Sequence, residues 1–208
     1  MFRVGVDIGG TFTDLLLVAD DSTAFIGKNL TTHADPSVAV EAAMREGLEA
    51  GSVDRTQRGT VVHGTTLVTN ALIERKGALT ALLTTAGFRD ALEIGREHRY
   101  ELYDLDLEMP RPLVPRYLRF DVPERVTADG SVLEPLDEKF VRTLEIELRD
   151  KGVRAVAVCY LNSFRNPTHE RRTQELIAEV APDIRVSVSA DVVPEIREFQ
   201  RTSTTTAN

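Results

Sequence analysis

The first part of the chain consists of short apolar runs separated by polar turns. Residues 2–8 and 14–19 are two such runs, and residues 24–32 form a third one after the polar residues Asp20, Asp21 and Ser22. Apolar runs of this length, bounded by Gly, Asp and Ser, are typical of β-strands. Because only short turns separate them, they predict three strands in an antiparallel meander.

Helical periodicity begins after the third predicted strand. Apolar residues recur at every fourth position from Val40 to Leu48, Asp35 and Pro36 suit an N-cap and a first helical position, and Gly51 follows as a terminator. These signals predict a helix. The next runs predict a strand in "RGTVVHGTT", a helix in "LVTNALIERKG" and a further apolar run in "ALTALLTT". Strand and helix therefore alternate.

The regular pattern weakens between Arg99 and Leu136, where prolines recur and Asp129-Gly130 predicts a hairpin turn. Beyond it, "DEKFVRTLEIELRDKG" and "NPTHERRTQELIAEVAP" predict helices, and "VRAVAVCYL" and "IRVSVSA" predict strands. This β-α-β order predicts parallel pairing. We divide the chain into an α/β part at residues 1–98, an irregular connection or insertion at 99–136, and a βαβ part at 137–208.

Composition and charge exclude several classes of protein. The chain has 42% hydrophobic and 28% charged residues, as expected of a folded globular protein. Its net charge of -8 argues against a general nucleic-acid binder, which usually carries a basic patch. The lone Cys159 allows no internal disulfide and favours a reducing compartment. With neither a signal-like N-terminus nor a membrane-length apolar run, we expect a cytoplasmic protein without membrane or nucleic-acid partners.

The stretch "DIGGTFTD" at residues 7–14 carries candidate chemistry. Gly9 and Gly10 remove side chains where the backbone must turn sharply, so that amide N–H groups are free to face an anion. Thr11 and Thr13 add hydroxyl groups to the same turn. We therefore expect these four residues to bind the phosphates of a nucleotide cofactor.

Two carboxylates flank that turn. Phosphates bring a hydrated magnesium ion, and a carboxylate at a strand end is a suitable ligand, often through the water shell. Asp7 is therefore the expected magnesium ligand, and Asp14 either orients the turn or joins the same water network. The alternative is an ordinary β-hairpin whose turn uses Gly and Thr, with Asp7 capping a backbone amide.

Two other nucleotide-binding signatures are missing, since the chain has neither a Gly-x-x-x-x-Gly-Lys-Ser/Thr loop nor a Gly-x-Gly-x-x-Gly after a strand. The stretch instead resembles the first phosphate-binding hairpin of the actin, sugar-kinase and Hsp70 superfamily, in which two ribonuclease-H-like lobes enclose ATP. The resemblance implies an α/β fold, with a ribonuclease-H-like lobe built on a mixed sheet and a βαβ portion.

Longer runs carry a narrower resemblance. They are "HGTTLVTNALIERKG", "GFRDALEIGRE", "YDLDLEMPRPLVPR", "VPERV", "NPTHERR" and "PEIREFQRTSTT". Together they look like the N-terminal part of the hydantoinase A and oxoprolinase family. The resemblance implies ATP and magnesium as cofactors, and hydrolysis of a cyclic amide that is first activated by phosphorylation. ATP-dependent ketone carboxylases of the same family are an open alternative.

Further site residues lie where the predicted fourth strand runs into a loop and helix. His63 is grouped with the two aspartates as a catalytic candidate, and Thr65, Thr66 and Asn70 are candidates for contact with substrate or phosphate. The alternative is structural, with Thr65 capping the helix and His63 bonded to the backbone.

Two more candidates stand in "EIGRE", where Glu93 and Arg96 are possible substrate-side groups. A charge pair at a helix end is the commoner explanation for such residues. We expect His98 and His169 to lie on the surface or at helix ends. No His, Cys and carboxylate cluster has spacing suited to a transition metal.

The family resemblance also implies partners. The chain ends in "RTSTTTAN", within a run that continues into a second lobe in the family, so we expect a fragment or one piece of a split protein. The expected partners are that C-terminal lobe of hydantoinase A, a hydantoinase B type subunit or domain, and a small cyclic amide. A sugar- or acid-type kinase and a non-catalytic assembly subunit of the same fold are the other hypotheses.

Overall fold

The structure is a computed structural model that describes residues 1–53, 56 and 59–208. Backbone contacts divide the chain into two compact units, Met1–Gly77 and Ala78–Asn208. The predicted strand "RGTVVHGTT" begins at a residue outside the described ranges, and the structure has this strand from Gly59 onward. Among the described residues, no helix is both long and apolar enough to cross a membrane.

The first unit is a four-stranded mixed sheet with two helices. Its elements are β1 Phe2–Ile8, β2 Phe12–Ala19, β3 Ala24–Leu30, α1 Pro36–Ala50, β4 Gly59–Thr65 and α2 Leu67–Ile73. The strand order is β3-β2-β1-β4, in which β1, β2 and β3 pair antiparallel and β4 runs parallel to β1. The predicted meander is therefore confirmed.

Alternation along β1 determines which side of this sheet is buried. Phe2, Val4, Val6 and Ile8 are buried, and they form one core with residues of β2 and α1. The residues between them, including Asp7, face the other side and are exposed. Helix α1 begins as predicted, because the Asp35 side chain accepts a 3.0 Å hydrogen bond from the Ser37 amide.

The second unit is built on a parallel sheet. Its elements are β5 Thr80–Thr85, α3 Ala91–Ile94, a 3-10 turn at Arg116–Leu118, β6 Arg119–Val122, β7 Arg125–Val126, β8 Val132–Glu134, α4 Glu138–Asp150, β9 Ala155–Cys159, α5 Thr168–Val180, β10 Arg185–Val188, α6 Ser189–Val192 and α7 Glu198–Ala207. The order is β10-β9-β5-β6 with all neighbours parallel, as the β-α-β pattern predicted for β9 and β10.

The segment expected to be an irregular connection contributes to this unit. Strand β6 pairs with β5, and β7 pairs with β8 across the turn at Gly130, whose φ is 92°. Strand β6 has only four residues and lies between two prolines, so its pattern is too short to detect from the sequence. Along the chain, the first unit ends at residue 77 and the second begins at residue 78, whereas the predicted boundaries lie at 98 and 136. The three-part division therefore stays a prediction.

A buried carboxylate joins three elements at the carboxyl end of β9. Glu170 on α5 accepts hydrogen bonds from the Tyr160 amide at 2.8 Å, the Ser189 hydroxyl at 2.6 Å and the Ala190 amide at 2.9 Å. Burial raises the pKa of Glu170, although these three donors act in the opposite direction. Glu170 therefore links α5 to β9 and to α6.

A second buried carboxylate lies nearby in the same unit. Glu124 accepts from the Thr85 hydroxyl, and its other oxygen lies 2.7 Å from Nδ1 of His169. The Thr85 hydroxyl in turn accepts from the Leu161 amide at 2.8 Å. His169 does lie near the start of α5, but it is buried and not solvated, which corrects the expectation of a surface residue.

Cys159 gives a test of burial in this core. The thiol is buried, and burial raises its pKa to about 12 from an ordinary value of 9.0. At pH 8 we therefore expect roughly a thousandfold less thiolate than for an exposed cysteine, and a slow reaction with a thiol reagent such as 5,5′-dithiobis(2-nitrobenzoate). The reaction should become fast in urea. Equal rates in native and unfolded protein would contradict the buried placement.

Candidate functional site

The first unit brings two strand ends together. Strands β1 and β4 are parallel neighbours, so their carboxyl ends meet at one edge of the sheet. The Ile8 carbonyl at the end of β1 accepts a 3.1 Å hydrogen bond from the Thr66 amide just after β4. The glycine turn that follows β1 and the loop that leads into α2 are therefore adjacent.

The glycine turn is tight. The Gly9 amide donates to the Phe12 carbonyl at 2.9 Å, so this N–H is used within the hairpin and is not available to an anion, contrary to our expectation. A Cβ on Gly9 would lie 3.1 Å from the Phe12 oxygen. The amides of Gly10 and Thr11 have no acceptor among the described residues. They are the two N–H groups that a phosphate could use.

A pair of threonines supports the turn from inside. The Thr13 hydroxyl is buried and lies 3.1 Å from the Thr31 hydroxyl, which donates to the Gly9 carbonyl at 2.9 Å. The Thr31 amide also donates to the Thr11 carbonyl at 2.9 Å. For Thr13 we therefore propose a supporting role in place of the direct phosphate contact that we expected, whereas Thr11 is exposed at the turn.

The two aspartates lie side by side on the open face of the sheet. Asp7 pairs in register with Asp14 on β2 and with Gly64 on β4, and residues in register share a face. Asp14 accepts a 2.9 Å hydrogen bond from Lys28, so it is already paired with a cation. Asp7 is exposed beside Gly64, which carries no side chain. An exposed carboxylate close to two available amides suits a hydrated magnesium ion bound to a nucleotide.

His63 does not join this pair. It lies in register with Val6, whose side chain faces the core, whereas Asp7 is the next residue of β1 and faces the other side. Within the first unit, the histidine and the aspartates therefore lie on opposite faces of the sheet. This is a correction to their grouping as one catalytic set.

The loop after β4 contacts the turn through backbone and amide groups. The Thr65 hydroxyl donates to the Ile8 carbonyl at 3.3 Å and accepts from the Leu67 amide at 3.2 Å, so it helps to start α2. The side-chain nitrogen Nδ2 of Asn70 lies next to Gly10, since a Cβ on Gly10 would lie 3.2 Å from it. The side chain of Thr66 makes no capping bond and is exposed. Asn70 is therefore the side chain from α2 that reaches the turn.

The remaining candidates, Glu93 and Arg96, lie in the second unit. Glu93 accepts a 2.9 Å hydrogen bond from Arg119, whose side chain is 0% exposed. Arg119 also donates to the Val114 carbonyl at 2.9 Å. Glu93 is thus the carboxylate partner of a buried cation, whereas Arg96 is exposed. The substrate role of both residues stays a prediction.

Replacing Glu93 distinguishes a structural role from a substrate role. We expect Glu93→Ala to lower the free energy of unfolding by about 1–2 kcal/mol, because it leaves a buried guanidinium without its carboxylate while Glu93 itself is half exposed. Glu101→Ala, an exposed acid of the same unit, is the control. Urea denaturation measures both variants. Unchanged stability together with a lower reaction rate would instead favour substrate contact.

The second unit also has an open cavity of about 470 Å³. It is lined by Arg89, Arg116, Tyr117, Arg119, Phe120, Asp121 and Glu147. Its three arginines already have acidic partners, since Arg116 binds Asp90 at 2.9 Å, Arg89 lies 3.3 Å from Asp121, and Arg119 binds Glu93. The cavity therefore has no excess of unpaired positive charge with which to bind an anion.

Lys28 and Thr31 were not identified from the sequence. Both belong to the end of the meander, where β3 and the residue after it lie beside β2. The predicted antiparallel pairing could have placed Lys28 opposite Asp14, and Thr31 beside the turn just beyond the Phe12–Leu30 pair. The signal was therefore the register of the strands and not a motif.

The sequence of this chain is similar to a family model and to known proteins. Residues 3–181 match the family model described as the hydantoinase/oxoprolinase N-terminal region. The chain is 37% identical to the caprolactamase subunit alpha of Pseudomonas jessenii, over 100% of this chain and 31% of that protein. It is 36% identical to the acetophenone carboxylase gamma subunit of Aromatoleum aromaticum, over 97% of this chain and 30% of that protein.

Solved structures show the same fold. A nucleotide-free structure of acetone carboxylase, from work on ATP-dependent acetone carboxylation, matches 99% of this chain and 31% of its own, with a TM-score of 0.88 and 28% identity. The crystal structure of the ATP-dependent caprolactamase from Pseudomonas jessenii matches 99% of this chain with a TM-score of 0.82 and 35% identity. The predicted α/β fold with a lobe of actin-like type is confirmed.

The family motifs found in the sequence contain residues of both units. "HGTTLVTNALIERKG" forms the loop and helix beside the glycine turn, and "VPERV" and "NPTHERR" supply the buried Glu124, His169 and Glu170. The chain spans about 30% of the length of these two curated relatives. With a family model matched over residues 3–181, this chain belongs to the hydantoinase/oxoprolinase family, of which it carries the N-terminal region.

Proposed function

We propose that this chain is the ATP-binding lobe of an ATP-dependent cyclic-amide hydrolase that activates its substrate by phosphorylation. The observation that carries the proposal is the turn after β1, where the Gly10 and Thr11 amides are available and the Asp7 carboxylate, three residues before Gly10, is exposed. Backbone N–H groups in a tight turn suit phosphate oxygens, and the carboxylate suits a hydrated magnesium ion.

The proposed chemistry needs positioning and charge neutralisation from the protein. The amide oxygen of the ring would attack the γ-phosphorus of ATP, and ADP would leave. One water would then add to the activated carbonyl carbon and the ring C–N bond would break, with the nitrogen taking a proton. The resulting acyl phosphate would react with a second water to give the carboxylate and phosphate. Phosphoryl transfer depends mainly on holding the phosphates and the metal in place. Asp7 and the two amides would do this, and Asp14 with Lys28 would keep the turn in position.

The relatives support an ATP-dependent reaction, and their names indicate two classes of substrate, lactams and ketones. A caprolactamase acts on a lactam, whereas acetone and acetophenone carboxylases act on ketones. A carboxylase subunit is therefore our second candidate function, because the matched carboxylase structure has the higher TM-score, 0.88 against 0.82. Enol phosphorylation would use the same phosphate and metal contacts.

We also propose partner subunits, a metal ion and a cellular compartment for this enzyme. Two relatives are named as subunits, which supports a heteromeric enzyme with a partner subunit of hydantoinase B type and a further lobe that completes the ATP site. Magnesium is the metal that we propose, with Asp7 as its ligand through water. We place the enzyme in the cytoplasm, where the lone thiol of this chain stays reduced.

The deciding experiment measures substrate-stimulated ATP hydrolysis by the full-length protein with its partner subunit. Hydantoin, 5-oxoproline and caprolactam represent cyclic amides, and acetone and acetophenone with bicarbonate represent ketones. We expect a cyclic amide to stimulate release of ADP and phosphate. Stimulation by a ketone alone would move the assignment to the carboxylase. No magnesium-ATP binding by calorimetry in the complete assembly would reject both and leave a scaffold.

A further inference from the structure

One stretch of the second unit has a strand pattern but no strand. In "YDLDLEM", Tyr103–Met109, the odd positions 103, 105, 107 and 109 are apolar and the even positions 104, 106 and 108 are acidic. Strict alternation over this length is typical of a β-strand that is buried on one face. The structure has only turns and irregular backbone here, between the end of α3 at Ile94 and the 3-10 turn at Arg116.

Tyr103, Leu105 and Met109 have exposed side chains, and Leu107 is half-buried. Tyr103 is 89% exposed and Leu105 is 92% exposed, and the nearby Tyr100 and Leu102 are exposed as well. Across the described parts of the second unit, none of these four residues belongs to the buried core or packs against it. A cluster of large apolar side chains without cover marks an interaction surface.

The hydrogen bonds of this stretch are local. The Asp106 amide donates to the Asp104 side chain at 2.9 Å, and Arg99 donates to the Asp104 carbonyl at 3.4 Å. The stretch from Tyr103 to Met109 is not paired with any strand of the second unit. Its backbone can therefore pair with a strand from elsewhere without breaking a sheet in this unit.

Charge indicates what kind of partner fits. Asp104, Asp106 and Glu108 are acidic and no basic residue occurs in Tyr103–Met109, so as an extended strand the stretch would have an acidic face opposite its apolar face. A second copy of this chain would bring the same three acids opposite themselves, and like charges in paired strands repel. A surface that combines an apolar groove with Lys or Arg side chains is complementary to it.

We propose that Tyr103–Met109 docks as an added β-strand on a free sheet edge of the partner subunit. The side chains at the odd positions would enter an apolar groove, and the acids at the even positions would face basic side chains of the partner. Main-chain hydrogen bonds to a sheet edge supply affinity, and the alternate side chains supply specificity. Pro110 and Pro112 follow directly and would end the added strand. The inference rests on the proposed heteromeric enzyme.

Crosslinking tests where this stretch binds. A photo-crosslinking amino acid is placed at position 105 of the full-length protein and, as a control, at position 133, where Leu133 is also an exposed leucine of the second unit. The protein is irradiated in its complex with the copurified partner subunit, and the adducts are sequenced by mass spectrometry. We expect position 105, and not position 133, to label a sheet-edge segment of the partner that is flanked by Lys or Arg. Adducts only with a second copy or with another part of the same polypeptide, or no adduct at all, would overturn the proposal.

Affinity supplies the second measurement. Tyr103→Ser with Leu105→Ser should weaken association with the partner subunit by at least about tenfold, because two exposed apolar side chains lose their groove. Leu133→Ser should associate like the wild type. Asp104→Asn with Asp106→Asn should slow association and reduce its dependence on salt. Wild-type affinity for the Tyr103 and Leu105 double variant would overturn the proposal.

The same samples separate this inference from the proposed function. Asp7→Asn should assemble normally and lose ATP turnover, whereas the Tyr103→Ser, Leu105→Ser variant should lose assembly with the partner subunit. Wild-type ATP turnover in Asp7→Asn would contradict the proposed function. Wild-type assembly of the Tyr103→Ser, Leu105→Ser variant would contradict the docking strand. The two failures therefore produce different results.

Discussion

Asp7→Asn is expected to reduce substrate-stimulated ATP hydrolysis by the complete enzyme by about 10²–10³-fold. The Asp7 carboxylate is exposed near the end of the strand that leads to the available Gly10 and Thr11 amides, whereas Asp14 is already paired with Lys28. An amide side chain is a weaker magnesium ligand than a carboxylate. The fold should not change, because Asp7 is exposed on the open face of the sheet while its neighbours Val6 and Ile8 form the core. Steady-state kinetics with a magnesium titration measures the loss.

Two variants of the same sheet serve as controls for Asp7. Asp20→Asn removes an exposed acid just beyond the other end of β2 and should leave the rate unchanged. Asp14→Asn should have an intermediate effect, because it removes the partner of Lys28 and leaves Asp7 in place. Wild-type activity in Asp7→Asn, or an equal loss in Asp20→Asn, would contradict the assignment of Asp7 to the metal.

Glu170→Ala is expected to lower the free energy of unfolding of the second unit by about 3–5 kcal/mol. Three donors, the Tyr160 and Ala190 amides and the Ser189 hydroxyl, would lose the carboxylate that accepts their hydrogen bonds. Because these groups are buried or half-buried in a packed core, water cannot replace the acceptor freely. Urea denaturation followed by far-ultraviolet circular dichroism measures the change.

Helix α5 itself supplies the control for Glu170. Glu175→Ala removes an exposed acid paired with Arg172 at 2.8 Å, and should change stability by less than about 0.5 kcal/mol. Hydrogen exchange gives a local measurement, since the amides of Tyr160 and Ala190 should exchange faster in Glu170→Ala alone. Equal stability of the two variants would mean that the buried carboxylate does not hold these elements together.

Local signals explain why much of the architecture was predictable. The meander, α1 with its Asp35 cap, and the parallel pairing of β9 and β10 all follow from apolar periods, turn residues and caps that lie within one element. Strand β6 was missed because four residues between prolines carry no measurable period. Its place in the sheet depends on β5, which lies more than 30 residues earlier in the chain.

In the candidate site, too, local sequence signals were predictable and the pairing of strands was not. The glycine turn and the carboxylate before it were identified from one continuous stretch, since the residue types that bind a phosphate and its metal follow each other there. The face of each side chain could not be derived in that way. The pairing register of β4 with β1 places His63 on the face opposite Asp7, and a shift of one residue would have reversed this result.

By itself, the sequence determined the α/β class and the family, and it located the glycine turn for which we propose phosphate binding, because each of these depends on short-range patterns and on motifs in order. Only the tertiary structure decided that the Gly9 amide is used inside the hairpin, that Thr13 is buried beneath it, and that His169 pairs with Glu124. The burial of Thr13 against Thr31 and the pairing of His169 with Glu124 arise from contacts between residues 18 and 45 positions apart, whereas the Gly9 bond depends on the conformation of its own turn. Side-chain burial and hydrogen bonding depend on such contacts, and a local sequence pattern does not determine them.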